Sequence, residues 1–357
     1  MSGLKGQRRR LALGFVLAVA LLWFFFRGLD WGELAEAFRS ADAAWLAAIV
    51  LVTVVVYLIR AWRWGYLLAP LARVPLSDLF STTMVGFAAG LALPRAGEVL
   101  RPYLIGRRHS VRTSAAFASI ILERLLDLAT VLALIAVYFF VLPAPAAQAT
   151  GELLGALKLA GKLMALATAA LIALLWFFHV YSERALGIVE RLLRWLPARL
   201  SAWIGSTLRS FSQGLAVLRA PGSHLLALLG QSLLLWLAIA FSLYCSYRAF
   251  GIALPFHASF LLIGFLTVGV SIPTPGMVGG FHAFYRLAMT SVFGVNPSVA
   301  AAAGIAAHAL TNLPVLILGL IFLGREGLTF GAVTHMTNAS ESAEQAAAAP
   351  DDERKEA

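Results

Sequence analysis

The sequence predicts an all-α polytopic membrane protein with about six full spans and two re-entrant helical hairpins, about eight transmembrane segments in all. Three observations carry that expectation. Of the 357 residues, 60% are hydrophobic and only 13% are charged, against roughly 45–50% and about 25% in a soluble domain. The net charge of +10 collects as arginine at the ends of apolar runs, which marks cytoplasmic loops and suits anionic lipid surfaces. This placement argues against nucleic acid as a partner. Finally, two apolar stretches are broken by proline and glycine, LPRAGEVLR at Leu93–Arg101 and IPTPGMVGGFH at Ile272–His282. The single Cys245 offers neither a disulfide framework nor a cysteine metal site, and no metal or other cofactor is expected.

Taken in order, Lys5, Arg8, Arg9 and Arg10 precede an apolar run from Leu11 to Phe26. Its bulky end lacks a small-x-small cleavage site, so it reads as an uncleaved first span with a cytoplasmic N-terminus. Asp30–Asp42 is a short acidic amphipathic segment on the outer surface. The second span, Ala43–Ile59, ends in RAWRW, where Arg60 and Arg63 among tryptophans read as interfacial anchors. Leu79–Leu93 is too short to cross, and both of its flanks are basic. Leu76–Ile105 is therefore expected to be a hairpin entered from the cytoplasm.

Ala115–Leu142 is the third span, and a fourth ends near Val180, with Lys158 and Lys162 awkwardly at its outer start. Residues 181–222 interleave arginines with leucine and tryptophan, a basic amphipathic connector on the inner surface within a membrane domain of residues 1–330. His224–Tyr247 crosses outward. Ser259–Phe293 is a second hairpin, entered from outside, and Pro297–Leu323 crosses back. Residues 331–357 form a small-residue polar tail, predicted to be disordered and cytoplasmic.

The halves can be laid over each other. Tyr57–Trp62 matches Cys245–Phe250, Val74–Phe80 matches Leu254–Phe260, and Pro94-x-x-Gly97 matches Pro273-x-x-Gly276. Glu123 and Asp127 fall where His308 and Asn312 fall, each pair on one helix face. The matching loops lie on opposite sides of the membrane, so the repeat is inverted, and Gly/Pro breaks at matching places point to a midplane site.

The polar residues at these breaks are the candidate substrate-binding set: Arg95, Glu98, Arg101, Glu123, Arg124 and Asp127 in the first half, and Pro273, Pro275, Gly276, Gly279, Gly280, His282, His308 and Asn312 in the second. An ionised side chain at a helix centre costs roughly 2.5–3.5 kcal/mol to insert, so the charged members must pair or face water. One reading is an ion-pair lattice, Arg95 or Arg101 with Glu123 or Asp127, that only holds the hairpin. The other is an anion site, since arginine forks onto phosphate and freed amides at half-helix N-termini favour negative charge. The two are compatible. His282 and His308, read alone, fit packing histidines. No residue is assigned a catalytic role.

In order, LPRAGEVLRPYL, ILERLLD and IPTPGMVGG resemble the lysylphosphatidylglycerol synthase transmembrane-region family, flippase-like proteins related to the membrane half of the bacterial multiple peptide resistance factor. The resemblance spans about residues 10–325. It implies an inner-membrane protein concerned with translocating a phospholipid or a polyprenyl- or sugar-linked lipid. Members often carry a glutamate shortly after the second Pro-Gly break, where this chain has His282. Members that transfer amino acids add a large soluble domain, which is not expected here. The leading expectation is a flippase-like carrier of an anionic lipid, with membrane lipids as partners, capture on the cytoplasmic side, and a homo-oligomer or a lipid-biosynthesis enzyme as a further partner. The alternatives are a membrane-embedded glycosyl- or aminoacyltransferase, in which Glu98 and Asp127 would be the bases, and a non-catalytic partner of a lipid-modifying enzyme.

Overall fold

A computed structural model describes residues 25–92, 96–140, 220–272 and 274–325, together with Val217 and scattered positions within 16–23 and 155–173. Arg95, Pro94 and Pro273 lie outside the described residues, as do nearly all of the first and fourth expected spans, the basic connector and the tail. The described chain is helical: α1 (Trp31–Arg39), α2 (Ala43–Leu68), α3 (Leu76–Ala92), α4 (Ala96–His109), α5 (Thr113–Phe140), α6 (Gly222–Arg248), α7 (Ala258–Ser271), α8 (Gly280–Leu287) and α9 (Pro297–Arg325). A single 3-10 turn, Pro275–Met277, lies between α7 and α8, and α8 runs on through a π-helical turn, Ala288–Val292.

Helices α2, α6 and α9 are each long and apolar enough to cross a membrane. Their surfaces are arranged as a lipid solvent demands. Leu51, Leu229, Leu233, Ile317 and Ile321 point outward, while Thr53, Arg63, Gln231 and Ser232 on the same helices are buried. Helix starts are fixed by side-chain caps. Asp30 accepts from the backbone of Gly32 and Glu33, Asp42 from Ala44, and Asn296 from Ser298 and Val299, which satisfies amides left without an intrahelical partner.

Both expected hairpins form. In the first, α3 and α4 run antiparallel in a constant register. Gly90 faces Gly97, Gly86 faces Arg101, Arg108 donates to Ser81 and His109 meets Asp78 at 2.9 Å. In the second, Gly269 on α7 lies against Gly280 on α8. Each hairpin crosses at a glycine pair, Gly86 with Gly97 and Gly269 with Gly280. A methyl group on Gly97 or Gly280 would collide with the carbonyl of its partner. The repeat read from the sequence is corrected here. Pro94-x-x-Gly97 had been paired with Pro273-x-x-Gly276, but the glycine that plays the part of Gly97 is Gly280. The second hairpin spends the intervening residues on the extra Pro275–Met277 turn. There Gly276 (φ 62°), Gly279 (φ 90°) and even Met277 (φ 56°) take left-handed backbone.

The packing between halves is reciprocal. α2 and α6 lie against each other antiparallel: the amide of Asp42 donates to the carbonyl of Ala249, Arg63 reaches Ser232, and His224 contacts the carbonyl of Tyr66. α9 packs on α3, with Gly319 against Ala88 and Met84, and α5 packs on α7, with Ile135 against Gly264. The long helix that follows each hairpin therefore braces the hairpin of the other half. The two hairpin tips also meet, with Gly276 close to the carbonyl of Leu91.

Candidate functional site

α2 does not end at Ile59. It continues to Leu68, and this carries Arg60 and Arg63 into the protein. The expectation that they anchor the span at the interface is overturned. Arg63 is fully buried, Arg60 nearly so, and Trp64 is buried beside them. The missed signal is the apolar WGYLLAPLA that follows Arg63. It leaves room for further helical turns, so the arginines fall inside the helix.

These arginines converge on the pair expected on α5. Glu123, fully buried, meets Arg101 at 3.0 Å, Arg60 at 3.3 Å, Arg63 at 3.7 Å and Arg124 at 2.6 Å. Asp127, one turn on, meets Arg63 at 2.7 Å, Arg124 at 3.3 Å and Arg60 at 3.4 Å, and accepts the indole N–H of Trp236 at 3.0 Å. The cluster thus ties α2, α4, α5 and α6 together. Burying each ion costs several kcal/mol, and only close pairing with further hydrogen bonds offsets that cost. Aromatic faces help: the Arg101 guanidinium lies 4.3 Å from the centre of the Trp64 ring, and Phe87 sits between Arg60 at 4.9 Å and Arg101 at 5.5 Å. A desolvated contact of this kind is worth about 2 kcal/mol.

Among the described residues arginines outnumber carboxylates here: four guanidiniums face Glu123 and Asp127, and the Nε groups of Arg60, Arg63, Arg101 and Arg124 are buried without a hydrogen-bond partner among those residues. Glu98, half-buried on α4, is close enough to Arg124 to interact with it electrostatically.

The second-half candidates gather at the other hairpin tip. His308 Nε2 lies 2.8 Å from the carbonyl oxygen of Gly276, which it holds as a donor, and Asn312 donates to the carbonyl of His308. His282 packs 4.6 Å from the His308 ring and 5.2 Å from Phe25, and its Nδ1 accepts from the amide of Gly279. Pro275 begins the tip turn, and Gly280 sits at the helix crossing.

A cavity of about 250 Å³ joins the two groups. Arg60 and Trp236, both bonded to the carboxylates, form part of its wall, and Met277, His308, Thr311 and Asn312 form another part. Of the expected site residues, Arg101, Glu123, Arg124 and Asp127 come together behind the cavity, and His308 and Asn312 line it. His282 packs behind His308, outside the lining.

The model of the lysylphosphatidylglycerol synthase TM region matches residues 11–319. The chain belongs to that family. In family terms, the match takes in both hairpins, the arginine cluster and the cavity. The chain is 25% identical to a UPF0104 membrane protein of Methanothermobacter thermautotrophicus over 311 residues, which covers 81% of this chain and 87% of that one. It is also 30% identical to Glycosyltransferase AglD of Haloferax volcanii over 118 residues, 32% of this chain but only 18% of that protein.

Proposed function

We propose that this protein is a flippase-like carrier, which moves a lipid with an anionic head group, a phospholipid or a polyprenyl- or sugar-linked lipid, across the cytoplasmic membrane. The observation that carries this reading is the cavity between the halves. It has Arg60 on its wall and, behind it, a buried cluster in which arginines outnumber carboxylates among the described residues. Guanidiniums matched by carboxylates hold one another rigid, whereas an excess of them leaves field and donors for an anion, and arginine suits phosphate by its forked geometry. Six spans and two hairpins entering from opposite faces, related as an inverted repeat, give alternating access a natural mechanism, in which one half rocks against the other around the site. The antiparallel packing of α2 on α6 and the reciprocal bracing of the hairpins support that topology. Both termini are cytoplasmic in it. The charged hairpin then opens inward, so capture occurs on the inner leaflet.

The partial similarity to a glycosyltransferase favours a second reading, lipid-linked sugar transfer. The geometry around Asp127 weighs against it as a base, because three arginines and an indole already occupy its oxygens. Purified protein in liposomes with acyl-labelled phosphatidylglycerol tests the carrier directly. Transbilayer movement that is faster than in protein-free vesicles and is lost in Arg101→Ala supports it. Movement unchanged by that substitution removes the site from the mechanism. Sugar incorporation into lipid by the purified protein would replace it with the enzyme.

A further inference from the structure

The carrier reading leaves the head group open, and the cavity wall narrows it. Among the described lining residues one formal charge appears, the guanidinium of Arg60, and no carboxylate. Glu123 and Asp127 lie behind it, each already holding at least three arginines. Among apolar side chains the rest of the polar lining offers Thr53, Tyr57, Ser242, Thr267, Thr311 and Asn312. Thr53, Thr267, Thr311 and Asn312 already donate to backbone carbonyls of their own helices, which leaves their oxygens as acceptors for a ligand's hydroxyls. Ser242 is 5% exposed, and its hydroxyl has no hydrogen-bond partner among the described residues. A buried hydroxyl left unpaired costs free energy, and such groups normally find a partner. Ser242 belongs to the cavity wall, and a rotation of its side chain toward the cavity would give the hydroxyl a polar atom of the occupant as that partner. The Arg60 Nε is likewise unpartnered. The volume of about 250 Å³ corresponds to about eight liquid waters at about 30 Å³ each, which suits one phosphodiester with one small polyol.

We infer, on the basis of the carrier reading, that the head group is an anionic phosphodiester carrying an uncharged polyol, either glycerol or a single sugar, with phosphate at Arg60 and hydroxyls at Ser242 and the threonine and asparagine side chains. The same wall disfavours a cationic aminoacyl head. An ammonium group would find no carboxylate among the described lining residues and would face the field of a cluster in which arginines outnumber carboxylates. The name of the family would lead one to expect a lysylated head, but the charges around this cavity point the other way.

The full chain, reconstituted in liposomes, is given trace acyl-labelled phosphatidylglycerol, a monoglycosyl polyprenyl phosphate, lysyl-phosphatidylglycerol or phosphatidylcholine. The same lipids are offered to the detergent-solubilised protein and counted by native mass spectrometry. Phosphatidylglycerol or the glycosyl phosphate should move and bind at least tenfold better than lysyl-phosphatidylglycerol. Ser242→Ala, which removes an unpaired hydroxyl and so spares the fold, should cut that preference severalfold. Arg60→Gln should abolish it, and Arg60→Lys should restore part of the binding. Lysyl-phosphatidylglycerol bound as well as phosphatidylglycerol, or a preference untouched in Ser242→Ala and Arg60→Gln alike, overturns the inference. If no lipid moves but the binding preference holds, the head-group inference stands and the carrier reading fails. Whichever of the two anionic lipids is preferred identifies the source of the phosphodiester.

Discussion

The two hairpins are built alike and chemically opposed. Both cross at a glycine pair, both are followed by a long helix with two polar residues one turn apart, and each is braced by the long helix that follows the other. In the first half those residues are Glu123 and Asp127, held by arginines from two other helices besides their own neighbour Arg124. In the second they are His308 and Asn312, which hold backbone carbonyls. A shared scaffold thus carries a charge cluster at one end of the cavity and a neutral hydrogen-bonded loop at the other. The fold tolerates either chemistry, provided the charged groups at depth are paired with one another.

Removing Glu123 should have the largest effect. Glu123→Ala leaves four guanidiniums with one carboxylate, and breaking a buried network in this way costs about 3–5 kcal/mol. Thermal unfolding in detergent should show a large loss, and the double variant Glu123→Ala/Arg101→Ala should lose clearly less than the sum of its parts. Additive losses would mean that the cluster is not a unit. The glycine crossings rank next. Gly97→Ala and Gly280→Ala should each cost about 1–3 kcal/mol through overpacking, and by similar amounts if the hairpins are equivalent. Gly230→Ala, where a methyl meets nothing within 4 Å, should be neutral or gain up to about 1 kcal/mol from helix propensity. A large loss at Gly97 with none at Gly280 would break the equivalence.

His308→Ala should cost less than Glu123→Ala, about 1 kcal/mol for a part-buried carbonyl that loses its hydrogen bond. If it costs as much, the neutral half is the more demanding one. The smallest effect belongs to Arg39→Ala. Its pairing with Glu36 at 3.7 Å is exposed on both sides, and the change should stay within about 0.5 kcal/mol.

Much of this was legible from composition and punctuation. Apolar runs placed α5, α6 and α9 to within a few residues, whereas α2 runs on from its expected end at Ile59 to Leu68, and the Pro/Gly breaks placed both hairpins. Glu123 and Asp127 stood out because charge inside an apolar run demands a partner. Arg60 and Arg63 did not stand out, because arginine beside tryptophan at the end of a run is also how a span meets the interface. Only the extra turns of α2 distinguish the two cases. The glycine equivalence was misread because Pro-x-x-Gly matches locally, whereas the match that matters is set by which glycine touches the partner helix. Trp236 and Ser242 carry no sequence signal; they gain their roles from the helix packed opposite them.

The reciprocal bracing bears on how the protein is made. α3 leaves the ribosome long before α9, the helix whose Gly319 closes over Ala88 and Met84. Until then its inner face and the charged cluster beside it have only half their walls. Assembly in the bilayer therefore cannot finish one half at a time, and a nascent first half is the species that insertion and quality-control machinery must shelter until the last span arrives.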